Sequence, residues 1–234
     1  MFYYKLICFL YTVDDLPNSI IYLEFGRDFN QPVDNLPNSI IDLGFGWYFN
    51  QPVDNLPNSI TYLTFGHNFN QSVDNLPNSI IDLSFGNCFN QSVNNLPCSI
   101  SYLEFGNYFN QSISNLPNSI EYLIILCSDF NQIIDNLPLS IKYLYICNIE
   151  KYLDSDVLKR IKYVFLGNYM YINYPKCKID DSEDIIFDSI FIYKNKMLGS
   201  VIFEELTKYV FNPQRLIRYA EKYDLTFDEY VEFL

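Results

Sequence analysis

Basic residues are nearly absent from the first part of the chain. Between Asp14 and Asp135, thirteen acidic residues stand against a single base, Arg27, and the whole chain has a net charge of −13. A groove that binds nucleic acid needs lysine and arginine to neutralise phosphates. The charge therefore argues against nucleic acid as a partner, and it favours a partner with a basic surface.

Metal-ligating patterns are also missing. His67 is the only histidine, and the six cysteines include no C-x-x-C pair. Zinc sites are built from closely spaced cysteine and histidine ligands, so we expect no metal and no cofactor. Cysteines at unrelated positions of a repeat are typical of a reduced cytosolic chain, which predicts free thiols and a cytoplasmic location.

No apolar run approaches the roughly 20 residues needed to cross a bilayer, so no membrane partner is expected. Hydrophobic residues nevertheless make up 49% of the 234 residues, with 21 tyrosines and 20 phenylalanines against only 8 glycines. Aromatic side chains must therefore fill much of the core. Phe9 and the segment 13–20 align with Phe29 and 33–40, which predicts that the N-terminal segment is the second half of a repeat unit.

One short sequence motif recurs along the chain every twenty residues, and a single insertion near 124–126 interrupts this period. Leu-Pro stands at 16–17, 36–37, 56–57, 76–77, 96–97, 116–117 and 137–138. Phe-Asn keeps the same step at 29–30, 49–50, 69–70, 89–90, 109–110 and 130–131. A fixed period of this length is typical of a solenoid, in which each unit packs only against its neighbours.

Within one unit, the segment from Asp42 to Phe45 alternates polar and apolar residues, which predicts a short strand with one buried face. Stacking at the repeat step pairs each strand with its copies, and the leading isoleucines predict eight such strands. We expect the buried positions of this unit to be Ile40, Leu43, Phe45, Phe49, Val53 and Leu56. Together these positions predict a continuous core along the solenoid.

The rest of each unit must return the chain to the next strand. Gly46 is predicted to permit a bend after the strand, and Leu56-Pro57 favours extended or short 3₁₀ geometry. The fold predicted is a leucine-rich-repeat-like solenoid with a parallel β-sheet on one face and extended or 3₁₀ return segments. Residues 1–167 form this solenoid of about eight rungs, and 168–199 form an irregular connecting or capping segment.

Helical signals appear only near the C-terminus. Residues 200–234 include an apolar stripe, the helix start Asn212-Pro213 and a capping-box spacing from Thr226 to Glu229. They predict a small α-helical module. Two interpretations stay open: the helices cover the exposed end of the last repeat, or they dock onto another protein.

The unit I-x-x-L-x-F-G-x-x-F-N followed by L-P-N-S-I resembles the leucine-rich repeat. More closely, Phe29-Asn30-Gln31-Pro32 with Leu36-Pro37-Asn38-Ser39-Ile40 resembles the FNIP repeat, a family known in social amoebae and in giant viruses that infect amoebae. The resemblance covers about 9–167, although Gln replaces the isoleucine of the family's motif and the period is twenty, not about twenty-two. It implies a protein-interaction module, whose partner would be a host factor and whose location would be the host cytosol if the chain is viral.

Variable residues concentrate at outward strand positions, where tyrosine and aspartate alternate. Tyrosine is favoured at binding surfaces because it offers a large contact area at low entropic cost. The alternative is a tyrosine ladder that only stabilises the sheet. We predict a protein-binding surface formed by Tyr22, Asp42, Tyr62, Asp82, Tyr102 and Tyr122, bordered by Trp47 and Arg27.

Enzymatic activity is not expected. Asp42 and Asp82 are the only tempting acid pair, but they are predicted on the order of 10 Å apart with Tyr62 between them, and no cleft is implied. The sequence predicts a non-enzymatic scaffold for protein binding. The alternative function is an adaptor in ubiquitin-dependent turnover that recruits a ligase through helices of 200–234.

Overall fold

The computed structural model describes residues 3–6, 13–14, 16–147, 152, 155–161, 163–166 and 169–172. Within these residues the chain forms a solenoid with one sheet, whose ten strands follow one another in chain order. The predicted solenoid is confirmed. The helices predicted for 200–234 and most of the segment 168–199 lie outside the described residues.

The strands are three or four residues long, and β1 to β9 are parallel while β10 pairs antiparallel with β9. One short helix, α1, precedes β9. The elements are β1 Tyr3–Leu6, β2 Tyr22–Phe25, β3 Asp42–Gly44, β4 Tyr62–Thr64, β5 Asp82–Ser84, β6 Tyr102–Phe105, β7 Tyr122–Ile125, β8 Tyr143–Ile146, α1 Asp156–Arg160, β9 Tyr163–Leu166 and β10 Tyr169–Ile172.

Three of these elements differ from the sequence prediction. β1 gives the first unit a strand, although the N-terminal segment was predicted to be the second half of a unit. β1 lacks the isoleucine that precedes the predicted strands, and its residues pair with those nineteen positions later, Tyr3 with Tyr22. The twenty-residue pattern therefore did not predict this strand. β10 lies in the segment predicted to be irregular. It pairs antiparallel with β9, and a repeat of parallel strands could not predict such a pair.

Between β8 and β9, the helix α1 takes the place of the extended segment that returns the chain to the next strand in the other units. Ser155 caps it by accepting a hydrogen bond from the Val157 amide, and Asp156 places a negative charge in its first turn. Val157 and Leu158 are buried, and the Arg160 guanidinium donates to the Pro138 carbonyl at 3.0 Å. Ser155-Asp156 is a helix-start signal in the sequence, but it lies where the repeat pattern is no longer regular.

Alternation along each strand divides the side chains between the core and the outer face. In β2, Leu23 and Phe25 are 2% exposed, whereas Tyr22 and Glu24 are partly exposed on the opposite face. The core residues predicted for one unit are all buried: Ile40, Leu43, Phe45, Phe49, Val53 and Leu56. The same positions repeat at each rung, so one core runs along the solenoid.

Phenylalanine rings stack in two parallel columns inside that core. Along the first column, the ring centroids of Phe45 and Phe65 are 5.5 Å apart, and along the second those of Phe49 and Phe69 are 6.1 Å apart. Within one unit, Phe65 and Phe69 stack at 3.7 Å. Aromatic side chains thus fill much of the core, as the composition predicted, and the two phenylalanines of each unit form separate columns.

Polar side chains of the motif satisfy backbone groups of the neighbouring rung. The Asn50 side-chain oxygen accepts from the Asn70 amide at 2.9 Å and from the Gln71 side chain at 3.1 Å. The Ser59 hydroxyl donates to the Ile40 carbonyl at 2.6 Å. Backbone groups at corners would otherwise be left without partners, which explains why the repeat keeps these residues at every step.

The glycine that follows each strand serves close packing between rungs. An added Cβ at Gly46, Gly66, Gly86 or Gly106 would lie far closer than 3.0 Å to the backbone of the preceding glycine, and none of these residues has a positive φ. Gly46 was predicted to permit a bend. Its actual role is to let two backbones approach where any side chain would separate them.

We predict that Gly66→Ala lowers the free energy of unfolding by about 3 kcal/mol, because two rungs must move apart. Urea unfolding followed by circular dichroism measures the change. Gly44→Ala is the matched control: its tightest new contact would be with Cγ of the flexible Glu24 side chain, at 3.3 Å, and no backbone atom would lie closer than 4.0 Å, so we expect a change within about 0.5 kcal/mol. Equal losses in the two variants would contradict the close-packing role.

Candidate protein-binding surface

The outward side chains of β2 to β8 form two columns that run along the solenoid, and we call them together the sheet face. Register pairs Tyr22 with Asp42, Asp42 with Tyr62, Tyr62 with Asp82 and Asp82 with Tyr102. The first column is Tyr22, Asp42, Tyr62, Asp82, Tyr102, Tyr122 and Tyr143; the second is Glu24, Gly44, Thr64, Ser84, Glu104, Ile124 and Tyr145. The columns predicted from the sequence are therefore brought together on one surface.

Most of the predicted binding residues of the first column are partly exposed. This holds for Tyr22, Tyr62, Asp82, Tyr102 and Tyr122. They remain accessible to a partner from the outer side of the sheet.

Asp42 is the exception, because only 2% of it is exposed. The prediction that its carboxylate is displayed for a partner is therefore wrong. Asp42 lies between two larger tyrosines, and the next outward residue on its strand is Gly44, over which the Glu24 side chain extends. A short side chain in this setting is enclosed by its neighbours.

Tyrosines that occupy successive rungs pack against one another. The rings of Tyr122 and Tyr143 stack at 4.4 Å with an interplanar angle of 5°, and those of Tyr102 and Tyr122 lie 6.3 Å apart and tilted. Such stacks stabilise adjacent strands. The stabilising interpretation therefore applies to Tyr122, whose ring has a neighbour on each side.

A second group of variable residues, the rim, consists of Arg27, Trp47, Tyr48, His67 and Asn87, which follow the glycine column. The Arg27 guanidinium lies 5.5 Å from the Trp47 ring centre and 5.7 Å from that of Tyr48. Trp47 stacks on His67 at 4.1 Å, and the Asn87 amide nitrogen lies 3.2 Å from His67 Nδ1. The rim side chains thus support one another along the solenoid.

The rim contains residues that the sequence prediction did not include. Tyr48 is 43% exposed, and Trp47 is 40% exposed although its ring stacks on His67, so both form part of the surface. Tyr48 lies in the column after the predicted border residues, and Tyr108 in the same column is 64% exposed.

Metal-binding and acid–base geometry are not assembled in the described residues. Register places Asp42 and Asp82 two strands apart, with Tyr62 between them. In this part of the chain, no group of three histidine, cysteine, aspartate or glutamate side chains is placed to hold a metal ion. The described helix is also too short to cross a membrane.

Cysteine reactivity should follow exposure. Among the described residues Cys98 is exposed, Cys88 and Cys147 are partly exposed and Cys127 is buried, and all four are free. Burial raises the pKa of the Cys127 thiol, with smaller contributions from the nearby Asp129 and Cys147. A buried thiol that stays protonated is a packing residue and a poor nucleophile.

We predict that a thiol reagent modifies Cys98 first, Cys88 and Cys147 more slowly, and Cys127 only on unfolding, as measured by mass spectrometry of digested protein. Cys8 and Cys177 are replaced by serine in the protein used, so that only these four thiols can react with the reagent. Rapid modification of Cys127 in folded protein would contradict its burial.

The raised pKa of Cys127 also makes stability depend on pH. Protonation is favoured in the folded state, so this contribution is complete below the pKa of the unfolded thiol and is lost as pH rises through the higher folded value. Between about pH 8 and 10, wild type should lose more free energy of unfolding than Cys127→Ala. Parallel losses in the two proteins would contradict the prediction.

A solved structure shows sequence similarity to part of this chain. The crystal structure of CroV588, described as a novel circular LRR protein, shares 47% sequence identity with the chain, with a TM-score of 0.48. The match covers 57% of this chain and 25% of that one, so this chain spans about a quarter of the other's length. No match was found among the curated proteins.

The family model for the FNIP repeat matches four stretches, 11–48, 32–66, 49–88 and 89–128, of which the first three overlap in sequence. Together they extend from 11 to 128, half of the chain, and they include the strands β2 to β7 with the phenylalanine columns and asparagine ladder described above. The chain belongs to the FNIP repeat family.

Proposed function

We propose that the chain is a non-enzymatic scaffold that binds a protein partner on its sheet face. The observation that supports this most directly is where the units vary. The inward strand position is leucine in every unit from Leu23 to Leu144, whereas the second outward column changes from Glu24 through Gly44 and Thr64 to Tyr145. Stacking needs uniform core residues and leaves the outer face free to carry specificity.

The chemistry of the sheet face suits protein recognition. Partly exposed tyrosines supply rigid contact area, and carboxylates between them supply polarity. No lysine or arginine occurs on strands β2 to β6, so attraction would favour a partner with basic residues. Chemistry is not part of this proposal, because binding requires neither a cleft nor an activated nucleophile.

We also propose a cytoplasmic location, which the free thiols of Cys88, Cys98, Cys127 and Cys147 support. The partner would then be an intracellular protein, such as a host factor if the chain is viral. The adaptor alternative depends on residues 200–234, which lie outside the described residues, and no observation favours it.

Affinity capture from amoebal lysate tests the scaffold. Wild type is compared with a variant in which Tyr22, Tyr62 and Tyr102 are alanine, and bound proteins are quantified by mass spectrometry. The control replaces Ile133 and Leu139, which are exposed on the return segment between β7 and β8, with alanine. Circular dichroism and thermal unfolding establish first that all three proteins fold.

We expect a partner that the control retains and the sheet-face variant loses by about tenfold or more, as for removal of binding hot spots. If wild type and the sheet-face variant capture the same proteins in equal amounts, the tyrosines have only a stabilising role. Loss from both variants would also contradict a site confined to the sheet face.

A further inference from the structure

The alternation of tyrosine and aspartate places a strand with a short outward side chain between two strands that carry tyrosine. Tyr62 and Tyr102 both pair with Asp82, so their strands are two spacings apart, about 9.6 Å. Stacking of a planar group between two rings needs about 3.5 to 4 Å on each side. For rings that extend straight out from these two strands, this separation leaves room for one planar cation, and at the midpoint it would lie within the roughly 6 Å reach of a cation–π interaction with both.

The base and side of this space carry negative charge. Asp82 is partly exposed between the two tyrosines, and Glu104 lies on the neighbouring strand. The Tyr102 hydroxyl donates to Glu104 Oε2 at 2.9 Å, which holds that carboxylate beside the ring. Ser84 and Thr64 are short, so the second column does not block access from the side.

The equivalent space above Asp42 provides an internal comparison. It has the same order of tyrosine, aspartate and tyrosine, but Glu24 extends over Gly44 and Asp42 is only 2% exposed. The next pair of tyrosines, Tyr102 and Tyr122, occupies successive rungs with ring centres 6.3 Å apart. Of the three places, the one above Asp82 combines room for a planar group with an accessible carboxylate.

We propose that this space, the Asp82 site, receives an arginine side chain of the partner protein. The guanidinium is flat and weakly hydrated, stacks on aromatic rings and pairs with carboxylates, which matches Tyr62, Tyr102, Asp82 and Glu104. Charge complementarity supports this occupant, since Arg27 is the only base between Asp14 and Asp135 and it lies over Trp47 in the rim. The inference rests on the proposed scaffold function and specifies the partner's chemistry.

The test uses amide NMR of the full chain, titrated with the peptide acetyl-Gly-Arg-Gly-amide. The matched probe carries citrulline in place of arginine, which keeps the shape and removes the charge. We expect saturable shift changes on β4 to β6, weakened by added salt, and binding of the citrulline peptide at least about tenfold weaker. Equal binding of the two peptides would overturn the proposal.

Variants then locate the site. Asp82→Asn and Glu104→Gln should each weaken binding of the arginine peptide, the former by about tenfold or more. Two charge-matched controls, Asp42→Asn in the enclosed space and Asp54→Asn on the return side, should change it by less than about twofold. Wild-type affinity in both Asp82→Asn and Glu104→Gln, or shift changes centred on the return side, would overturn the proposal.

The two proposals can fail separately. If capture of the partner requires the sheet-face tyrosines but arginine binding does not require Asp82, the scaffold function is supported and the Asp82 site is rejected. If arginine binding requires Asp82 but capture is insensitive to the tyrosines, the peptide marks a charged surface that the partner does not use. In that second case the proposed scaffold function and the assignment of the partner's arginine both fall.

Discussion

Every other feature of the solenoid depends on the close approach of successive backbones. Strand pairing sets the distance between rungs, and the column from Gly46 to Gly106 keeps that distance where the chain leaves the sheet. At this spacing, each side chain of the motif meets its own copy in the next unit. Phenylalanine therefore stacks on phenylalanine, and each asparagine side-chain oxygen accepts from the backbone amide of the next asparagine. A side chain in the glycine column would disturb all of these ladders together.

This constraint separates positions that must stay apolar from those that can change in character. Leu43, Phe45 and Phe49 are enclosed by identical neighbours, and a change of size would leave a cavity or force an overlap. Outward strand positions have solvent on one side, so they tolerate glutamate, glycine, threonine or tyrosine without loss of stacking. A regular interior thus supports a varied exterior, and specificity for a partner can arise from a few side chains.

Within that exterior, neighbouring residues decide what each side chain can do. Asp42 and Asp82 have the same tyrosine neighbours in register, yet one is buried and the other partly exposed. The second column differs beside them, since Gly44 with the Glu24 side chain close to it stands next to Asp42, and Ser84 stands next to Asp82. Tyr122 shows the same dependence, because stacking on Tyr143 makes it part of a ladder. Identical residues on one face therefore differ in their availability to a partner.

The sequence by itself determined the period, the parallel strands and the buried positions of each unit, because a repeat requires the same local pattern to meet its copy at every step. It also indicated which residues face outward. Only the tertiary structure decided the burial of Asp42, the stacking of Arg27, Trp47 and His67, and the elements β1, α1 and β10, which break the period. These features depend on the sizes of side chains in neighbouring rungs and on pairing at the ends of the sheet, and a periodic pattern specifies neither.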